Sequence, residues 1–287
     1  MQNLKALRKR IVSVKKTQQI TKAMKMIAAV RLRRAQEQIF AARPYSRALR
    51  RVMSSVAMRA KSKDHPLLAR RPQKRIHLFV VSSHRGLCGS FNSNIIKTAL
   101  DFSQKQEKEA EITWSFAGHK GHDFFQRRGV AAANNFSTAV PDVNFSTAAE
   151  ISKIFETAFL AEKIDAVYSI YNEFKSAMSQ GVVCEPLLPI GSGHLPEDVS
   201  AVDYICEPTK EEILSDLLVK HLRVQVYQIL LESVASEHGA RMTAMDSATN
   251  NAKEMIRSLT LQYNRTRQAS ITKELIEIVS GAEALRG

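Results

Sequence analysis

The sequence predicts an α/β protein in which the N- and C-terminal helices form a long antiparallel coiled coil and a Rossmann-like α/β domain is inserted between them. Residues 1–85 contain no glycine and carry apolar side chains at coiled-coil spacing. Residues 209–287 contain no proline, and the sequence between the two ends alternates β-rich and helical runs. We therefore expect a coiled-coil helix at 1–60, an α/β domain at 76–206 and a second coiled-coil helix at 209–287.

The N-terminal helix is predicted from apolar residues that recur at alternating steps of three and four. Seventeen positions form this seam: Leu4, Leu7, Ile11, Val14, Gln18, Thr21, Lys25, Ala28, Leu32, Ala35, Ile39, Ala42, Ser46, Leu49, Met53, Val56 and Ala60. Four of them are polar, and three of the four are consecutive, at Gln18, Thr21 and Lys25. At about 1.5 Å per residue the helix would span roughly 85 Å, more than the width of a compact domain.

The C-terminal helix follows Pro208, a residue suited to a first helical turn. Its apolar residues form two stripes offset by two positions, which indicates a stutter in the supercoil. The stripes are Met242, Met245, Ala252, Ile256 and Leu259, and then Ile271, Leu275, Ile278, Ala282 and Leu285. Because a lone helix is not stable in water, the two termini are expected to pair, antiparallel if the middle domain joins them at one end.

The polar side of the C-terminal helix is more extensive than a buried helix requires. Four polar residues lie on one side of it, where partner proteins around the helix would meet them: Arg265, Arg267, Gln268 and Thr272. This helix therefore has to serve contacts other than those of a core.

The central segment reads as an α/β domain with a largely parallel sheet. The predicted strands are IHLFVVSS, ITWSFAG, DAVYSIYN and GVVCEPLLPI, and the predicted helices are Phe91–Lys108, Lys120–Arg128 and Thr147–Lys163. Such a domain between the two halves of a coiled coil indicates a stalk, formed by the paired terminal helices, and a foot, formed by the α/β domain.

Composition excludes several classes of protein. The 287 residues are 44% hydrophobic, which is unlike a disordered chain, and no run approaches the roughly 18 apolar residues of a membrane-spanning helix. We therefore expect a soluble protein that is not secreted. The three cysteines, Cys88, Cys184 and Cys206, have no CxxC spacing and are expected to be ordinary thiols rather than zinc ligands.

The net charge of +14 is concentrated at the N-terminus. Through Arg75 there are 22 Lys or Arg against Glu37 and Asp64, whereas the remainder is net acidic. A transit peptide or a nucleic-acid-binding region would also be basic. The continuous heptad seam argues against a cleaved presequence, and the near absence of aromatic residues argues against nucleic acid. We favour a permanent helix that meets acidic protein loops.

The sequence Gly86–Gly89 follows a predicted strand and opens a helix, as phosphate-binding loops do. It lacks the GxGxxG spacing and the lysine of a P-loop, so a tight strand-to-helix turn is favoured over a nucleotide cradle. Ser82, Ser83, His84 and Cys88 could be imagined as a nucleophile with its base, but no GxSxG elbow or acid partner accompanies them.

Three blocks of the chain resemble the γ subunits of F-type ATP synthases. They are RIVSVKKTQQITKAMKMIAA, VVSSHRGLCGSFN, and SEHGARMTAMDSATNNAKEMI continued by YNRTRQASITKELIEIVSGA. The resemblance covers essentially the whole chain. One departure is His84, which stands where the family usually has an acidic residue.

The resemblance implies a non-catalytic rotor shaft that couples ion flow to ATP synthesis and needs no cofactor of its own. The coiled coil would stand inside a ring of three α and three β subunits, with the α/β domain against the ε subunit and the c ring. The chain would be a peripheral protein on the cytoplasmic side of a bacterial inner membrane. Asymmetry of the shaft would change the nucleotide affinities of the β subunits in turn.

The resemblance also implies roles for individual residues. Contacts that couple the shaft to β are implied at Met24, Arg241, Arg267, Gln268 and Thr272, and foot contacts with the c ring at Tyr204 and Glu207. Because a buried lysine is costly, the seam around Lys25 is expected to be solvent-accessible and loosely packed where it meets acidic β loops. Antiparallel pairing is expected to bring Met24 level with the segment from Arg267 to Thr272.

Overall fold

The computed structural model describes residues 4–57, 65–107, 109–140, 143–177, 179–191 and 209–284. It confirms the predicted fold class, with one long helix near each end of the chain and a central sheet. Six residues singled out from the sequence lie outside the described residues: Ala60, Tyr204, Cys206, Glu207, Pro208 and Leu285.

Eleven elements follow one another among the described residues. They are α1 (Leu4–Ala57), a 3-10 turn (Pro66–Leu68), β1 (Arg75–Val81), α2 (Phe91–Gln106), β2 (Glu111–Ala117), α3 (His119–Gln126), β3 (Ala132–Asn135), α4 (Phe145–Leu160), β4 (Ala166–Phe174), β5 (Gln180–Leu188) and α5 (Lys210–Ala284).

The chain divides into two compact units. Unit 1 combines Met1–Ile27 with Met242–Gly287, and unit 2 is Ala28–Arg241. In both units the predicted α1 seam is observed. Every seam position from Leu4 to Leu49 is buried or half-buried, whereas most of the intervening residues are exposed. The heptad pattern was therefore a correct guide to which side of α1 packs.

The sheet of unit 2 has the strand order β3-β2-β1-β4-β5. Neighbouring strands are parallel from β3 to β4, and β5 runs antiparallel to β4. The link between β4 and β5 is too short for the crossover that parallel strands need, so β5 can only turn back along β4.

One strand, β3, is not predicted by the sequence pattern. Strand β3 is the four-residue run AANN and pairs with β2 at the edge of the sheet. Alanine and asparagine have low β propensity, so nothing in this run distinguishes it from a loop. The four strands that were predicted are all present.

Both faces of the sheet are buried, as expected when helices cover a parallel sheet on each side. On one face Phe79 packs in a cluster with Phe155 of α4 and Leu218 of α5. On the other face Leu78 and Val80 belong to a cluster that includes residues of α2 and α3. Strand β1 is therefore apolar without interruption from Leu78 to Val81, because successive side chains enter opposite clusters.

A glycine between β2 and α3 is required by the packing against β1. Gly118 has φ +92° and ψ 139°, and a Cβ added there would lie 2.1 Å from the carbonyl oxygen of Ser82. Gly129 also has a positive φ, +78°, but a Cβ there would meet nothing within 4 Å. A side chain at Gly129 would meet only the cost of the backbone conformation, whereas one at Gly118 would add a steric clash, so comparing the two substitutions separates these costs.

We expect Gly118→Ala to lower the free energy of unfolding by at least ~2 kcal/mol, because it combines an unfavourable backbone conformation with a clash against backbone. The matched substitution Gly129→Ala should cost only ~1 kcal/mol. Denaturant unfolding of the full chain followed by fluorescence of Trp114, its one tryptophan, measures both. Equal losses for the two variants would contradict the clash.

Candidate functional site

Unit 1 holds a polar segment inside an otherwise apolar seam. The side chain of Thr21 is only 8% exposed, and its hydroxyl lies 2.8 Å from the hydroxyl of Thr249 on α5. Each threonine hydroxyl also lies within hydrogen-bond distance of a backbone carbonyl on its own helix, that of Gln18 or of Met245. The buried hydroxyls are therefore satisfied by one another and by the helix backbones.

The next seam residue, Lys25, is paired across the coiled coil. Its Nζ lies 2.6 Å from Oδ1 of Asp246, and the two side chains are 41% and 47% exposed. The expectation of a solvent-accessible, loosely packed segment is wrong at Thr21, which is buried, whereas Lys25 is solvent-accessible as expected. A carboxylate on the facing helix supplies the partner that an unpaired lysine would have lacked.

These two contacts fix the direction and register of the helices in unit 1. Four residues forward on α1, from Thr21 to Lys25, correspond to three residues back on α5, from Thr249 to Asp246. The pairing is thus antiparallel, as predicted. Met24, which is half-buried, lies level with the α5 residues near Asp246.

The predicted contact residues further along α5 lie at a different height. Arg267, Gln268 and Thr272 are exposed, as a contact surface requires. However, Gln268 is 22 residues from Asp246, about 33 Å along a helix. The expectation that this segment is level with Met24 is therefore wrong, because it rested on the direction of pairing without its register.

The end of α5 extends past the start of α1. The observed register places Leu4, the first described residue of α1, opposite residues 266–267. All residues from Ile271 to Ala282 are exposed. The exposed apolar side chains among them are Ile271, Leu275, Ile276, Ile278 and Val279. An apolar stripe of this size on a monomer is typical of an interaction surface.

Arg241 lies in unit 2 and is buried, at 9% exposure. Its Nη2 is 2.6 Å from Oε1 of Glu237, 3.0 Å from the carbonyl oxygen of Arg85 and 3.2 Å from that of Gly86. The guanidinium therefore ties α5 to the loop that follows β1. Burial raises the pKa of Glu237, and the charge of Arg241 opposes that effect.

The loop after β1 is held from several sides. The backbone N–H of Ser83 donates to Oδ1 of Asn92 at the start of α2, and Gly121 donates its N–H to Oγ of Ser82. Cys88 is buried inside the loop, which raises the pKa of its thiol. Leu87 takes a positive φ of 63°. These features favour the tight-turn interpretation of the sequence Gly86–Gly89 over a nucleotide cradle.

Helix α5 covers the sheet edge at which doubly wound folds bind ligands. That edge lies at the carboxyl ends of β1 and β4, where the strand order reverses. Ser236 donates to the carbonyl oxygen of Asn172 on β4, and Arg241 donates to the two carbonyls after β1. Polar backbone groups that a ligand would use are thus bonded to α5.

Cys88 and Cys184 are both free thiols. Among the described residues, no group of three or more His, Cys, Asp or Glu side chains is arranged to hold a metal ion. None of the helices in the same part of the chain is long and apolar enough to cross a membrane.

Comparison with known proteins identifies the family. The family model described as ATP synthase matches residues 3–285. An ATP synthase gamma chain of Geobacter metallireducens is 49% identical over 288 residues, and one of Bdellovibrio bacteriovorus is 48% identical over 296, each alignment covering 100% of both chains. The chain belongs to the ATP synthase gamma chain family. The family resemblance noted in the sequence is therefore confirmed.

Solved structures agree on the fold of this gamma-chain family member. A chain from the central stalk and c-ring structure of the Tetrahymena thermophila mitochondrial ATP synthase aligns with a TM-score of 0.59 at 25% identity, covering 80% of this chain and 99% of that one. A chain from the Euglena gracilis mitochondrial ATP synthase aligns with a TM-score of 0.70 at 21% identity, covering 98% and 94%.

Sequence reasoning missed the internal roles of Arg241 and Asp246. Arg241 was assigned to a partner contact, and Asp246 was not singled out. The spacing of Glu237 and Arg241, four residues apart on a helix, was a signal for an internal ion pair. No sequence signal links Arg241 to the carbonyls of Arg85 and Gly86, which are some 155 residues away.

We expect Arg241→Ala to loosen the loop after β1 and to expose Cys88. Loss of charge-assisted bonds worth ~2 kcal/mol would raise the open population of the loop roughly 30-fold. The labelling rate of Cys88 by a maleimide, followed by peptide mass spectrometry, measures this change.

Cys184 serves as the internal control, and Lys253→Ala, which removes an exposed cation from α5, serves as the control variant. The Lys253→Ala variant should leave the ratio of the Cys88 and Cys184 labelling rates unchanged. Unchanged Cys88 labelling in Arg241→Ala would contradict the clamp. Equal acceleration at both cysteines would indicate general unfolding instead.

Proposed function

We propose that this chain is the central rotor shaft of an F-type ATP synthase. It couples ion flow through a membrane c ring to conformational change at the catalytic β subunits of an α3β3 hexamer, and it carries no catalytic site or cofactor itself. The observation that carries this proposal is the antiparallel coiled coil of unit 1, whose register is held by the Thr21–Thr249 pair, in a gamma-chain family member. A shaft needs a fixed register between its helices if rotation at one end is to appear at the other.

The outer surface of α1 supports the same function. Beside the seam, a basic residue recurs once in each of three consecutive heptads. These residues are Arg8, Lys15 and Lys22, and all three are exposed. A row of like charges on one side of a coiled coil is complementary to an acidic partner surface. The proposed partner of this basic row on α1 is an acidic loop of the α3β3 ring.

We propose two levels of contact between the shaft and the ring. Met24 meets an acidic loop of a β subunit at one level. Arg267, Gln268 and Thr272 meet the ring at a second level, near the exposed end of α5. Arg241 is buried, so its contribution to coupling is exerted through the position of the loop at Arg85 and Gly86.

The foot of the shaft is proposed to be the α/β domain, residues 76–206. It would lie against the ε subunit and the c ring, with Tyr204 and Glu207 meeting the polar loops of the ring. The protein would then be peripheral to a bacterial inner membrane, on its cytoplasmic side. Asymmetry of the turning shaft biases the β subunits in sequence, since each contact stabilises one conformation over another.

Copurification tests the proposed assembly. We expect the chain to travel from membranes with α, β, ε and c subunits, and we expect the isolated chain to hydrolyse no ATP. Hydrolysis by the purified chain, free of β, would contradict a non-catalytic role. Failure to copurify with α and β would contradict the rotor assignment.

Replacing Met24 with lysine tests the proposed contact between Met24 and an acidic loop of a β subunit. A new cation beside an acidic loop should deepen one rotational state by ~1 kcal/mol. We expect ATP hydrolysis to stay within about twofold of wild type while ATP-driven proton pumping per ATP falls about fivefold. ATPase rate and pumping are measured together in inverted membrane vesicles. Normal pumping per ATP would exclude this segment as a site of coupling.

Second-site changes that restore pumping to the Met24→Lys variant are expected at Arg267, Gln268 or Thr272. They would act by altering a different contact with the ring, because these residues lie about 30–40 Å along α5 from the level of Met24. Such a change should also alter the hydrolysis rate when placed alone in the wild-type chain. Suppressors with no effect of their own would contradict this explanation.

A further inference from the structure

The ion pair between Lys25 and Asp246 is not explained by stability. Both side chains are close to half exposed, and pairs so accessible to water contribute about 0–1 kcal/mol. The seam around it already buries Thr21, Ala28 and Met245. The pair therefore has another physical effect, which is to neutralise the lysine ammonium and to hold its direction.

The two sides of the α1 seam differ in charge near Lys25. The side that carries Arg8, Lys15 and Lys22 is basic in three consecutive heptads. On the other side, the corresponding positions are Arg10, Thr17, Met24 and Arg31, so this side is neutral only between Arg10 and Arg31. A free ammonium at Lys25, next to Met24 in sequence, would add a cation to that neutral stretch.

We propose that Asp246 is a positioning residue for coupling, which holds the ammonium of Lys25 within the coiled coil so that α1 presents a neutral surface at Met24 to its partner. This rests on the proposed function, in which Met24 meets an acidic loop. Without Asp246, the flexible lysine stem is free to turn its charge toward that loop. Loss of one carboxylate on α5 then has the same effect as adding a lysine at position 24.

The test compares variants of the assembled complex in inverted membrane vesicles. Asp246→Asn should keep ATP hydrolysis within about twofold of wild type and lower pumping per ATP about fivefold, as Met24→Lys does. Adding Lys25→Met to Asp246→Asn should restore pumping, because the released charge is gone. Lys25→Met alone should pump as wild type, and Lys253→Gln controls for loss of a charge elsewhere.

Salt separates an electrostatic role from a structural one. The defect of Asp246→Asn should weaken as ionic strength rises, since added salt screens the attraction between the released ammonium and an acidic loop. The exchanged pair Lys25→Asp with Asp246→Lys should pump as wild type. Should Asp246→Asn fail to assemble, Asp246→Ser with and without Lys25→Met answers the same question.

Three results would overturn the proposal: normal pumping by Asp246→Asn, no rescue by Lys25→Met, or a defect that does not change with salt. Failure of the proposed function has a different signature, in which Met24→Lys itself pumps normally. If Met24→Lys is uncoupled while Asp246→Asn is not, the proposed contact at Met24 is supported and the positioning role of Asp246 is rejected.

Discussion

The constraint on which the rest of the structure depends is that two very long helices must bury an apolar stripe along most of their length. Helices of 54 and 75 residues gain their stability from packing, because backbone hydrogen bonds alone leave a helix marginal in water. In unit 1 the partner is the other helix, and in unit 2 it is the sheet as well. The seam of α1 keeps one heptad frame through both units, so one sequence pattern serves two kinds of packing.

Apolar packing alone does not fix how two helices are aligned. Small seam residues such as Ala28, Ala35 and Ala252 tolerate a shift of one heptad, because each would meet a similar surface. The threonine pair does not tolerate it, since a shift would leave the buried hydroxyl of Thr21 without its partner on α5. A buried polar pair in the seam thus trades some stability for a single register.

How much the sequence could predict follows from the range of each interaction. The seam and the central strands depend on local periodicity, and the antiparallel direction depends on the middle domain joining the two helices at one end; all three predictions are confirmed. Strand β3 was missed because its pairing with β2, and not its own residues, makes it a strand. The prediction that Arg267 lies level with Met24 is wrong because the register of the two helices depends on Thr249 and Asp246, which are more than 220 residues from their partners in sequence. Arg241 was read as a surface contact because its buried site is formed by a loop that is distant in sequence.

The packing of α5 also explains what occupies the ligand-binding edge of this sheet. Doubly wound sheets commonly bind ligands where the strand order reverses, but a fold does not determine a function. Here Ser236 and Arg241 bond the backbone carbonyls at that edge, and Gly239 allows the close approach, since a Cβ there would lie 3.3 Å from the carbonyl oxygen of Ala177. The groups that would otherwise receive a ligand anchor the long helix to the sheet. The same edge therefore acts as the joint between a helix and the sheet that supports it.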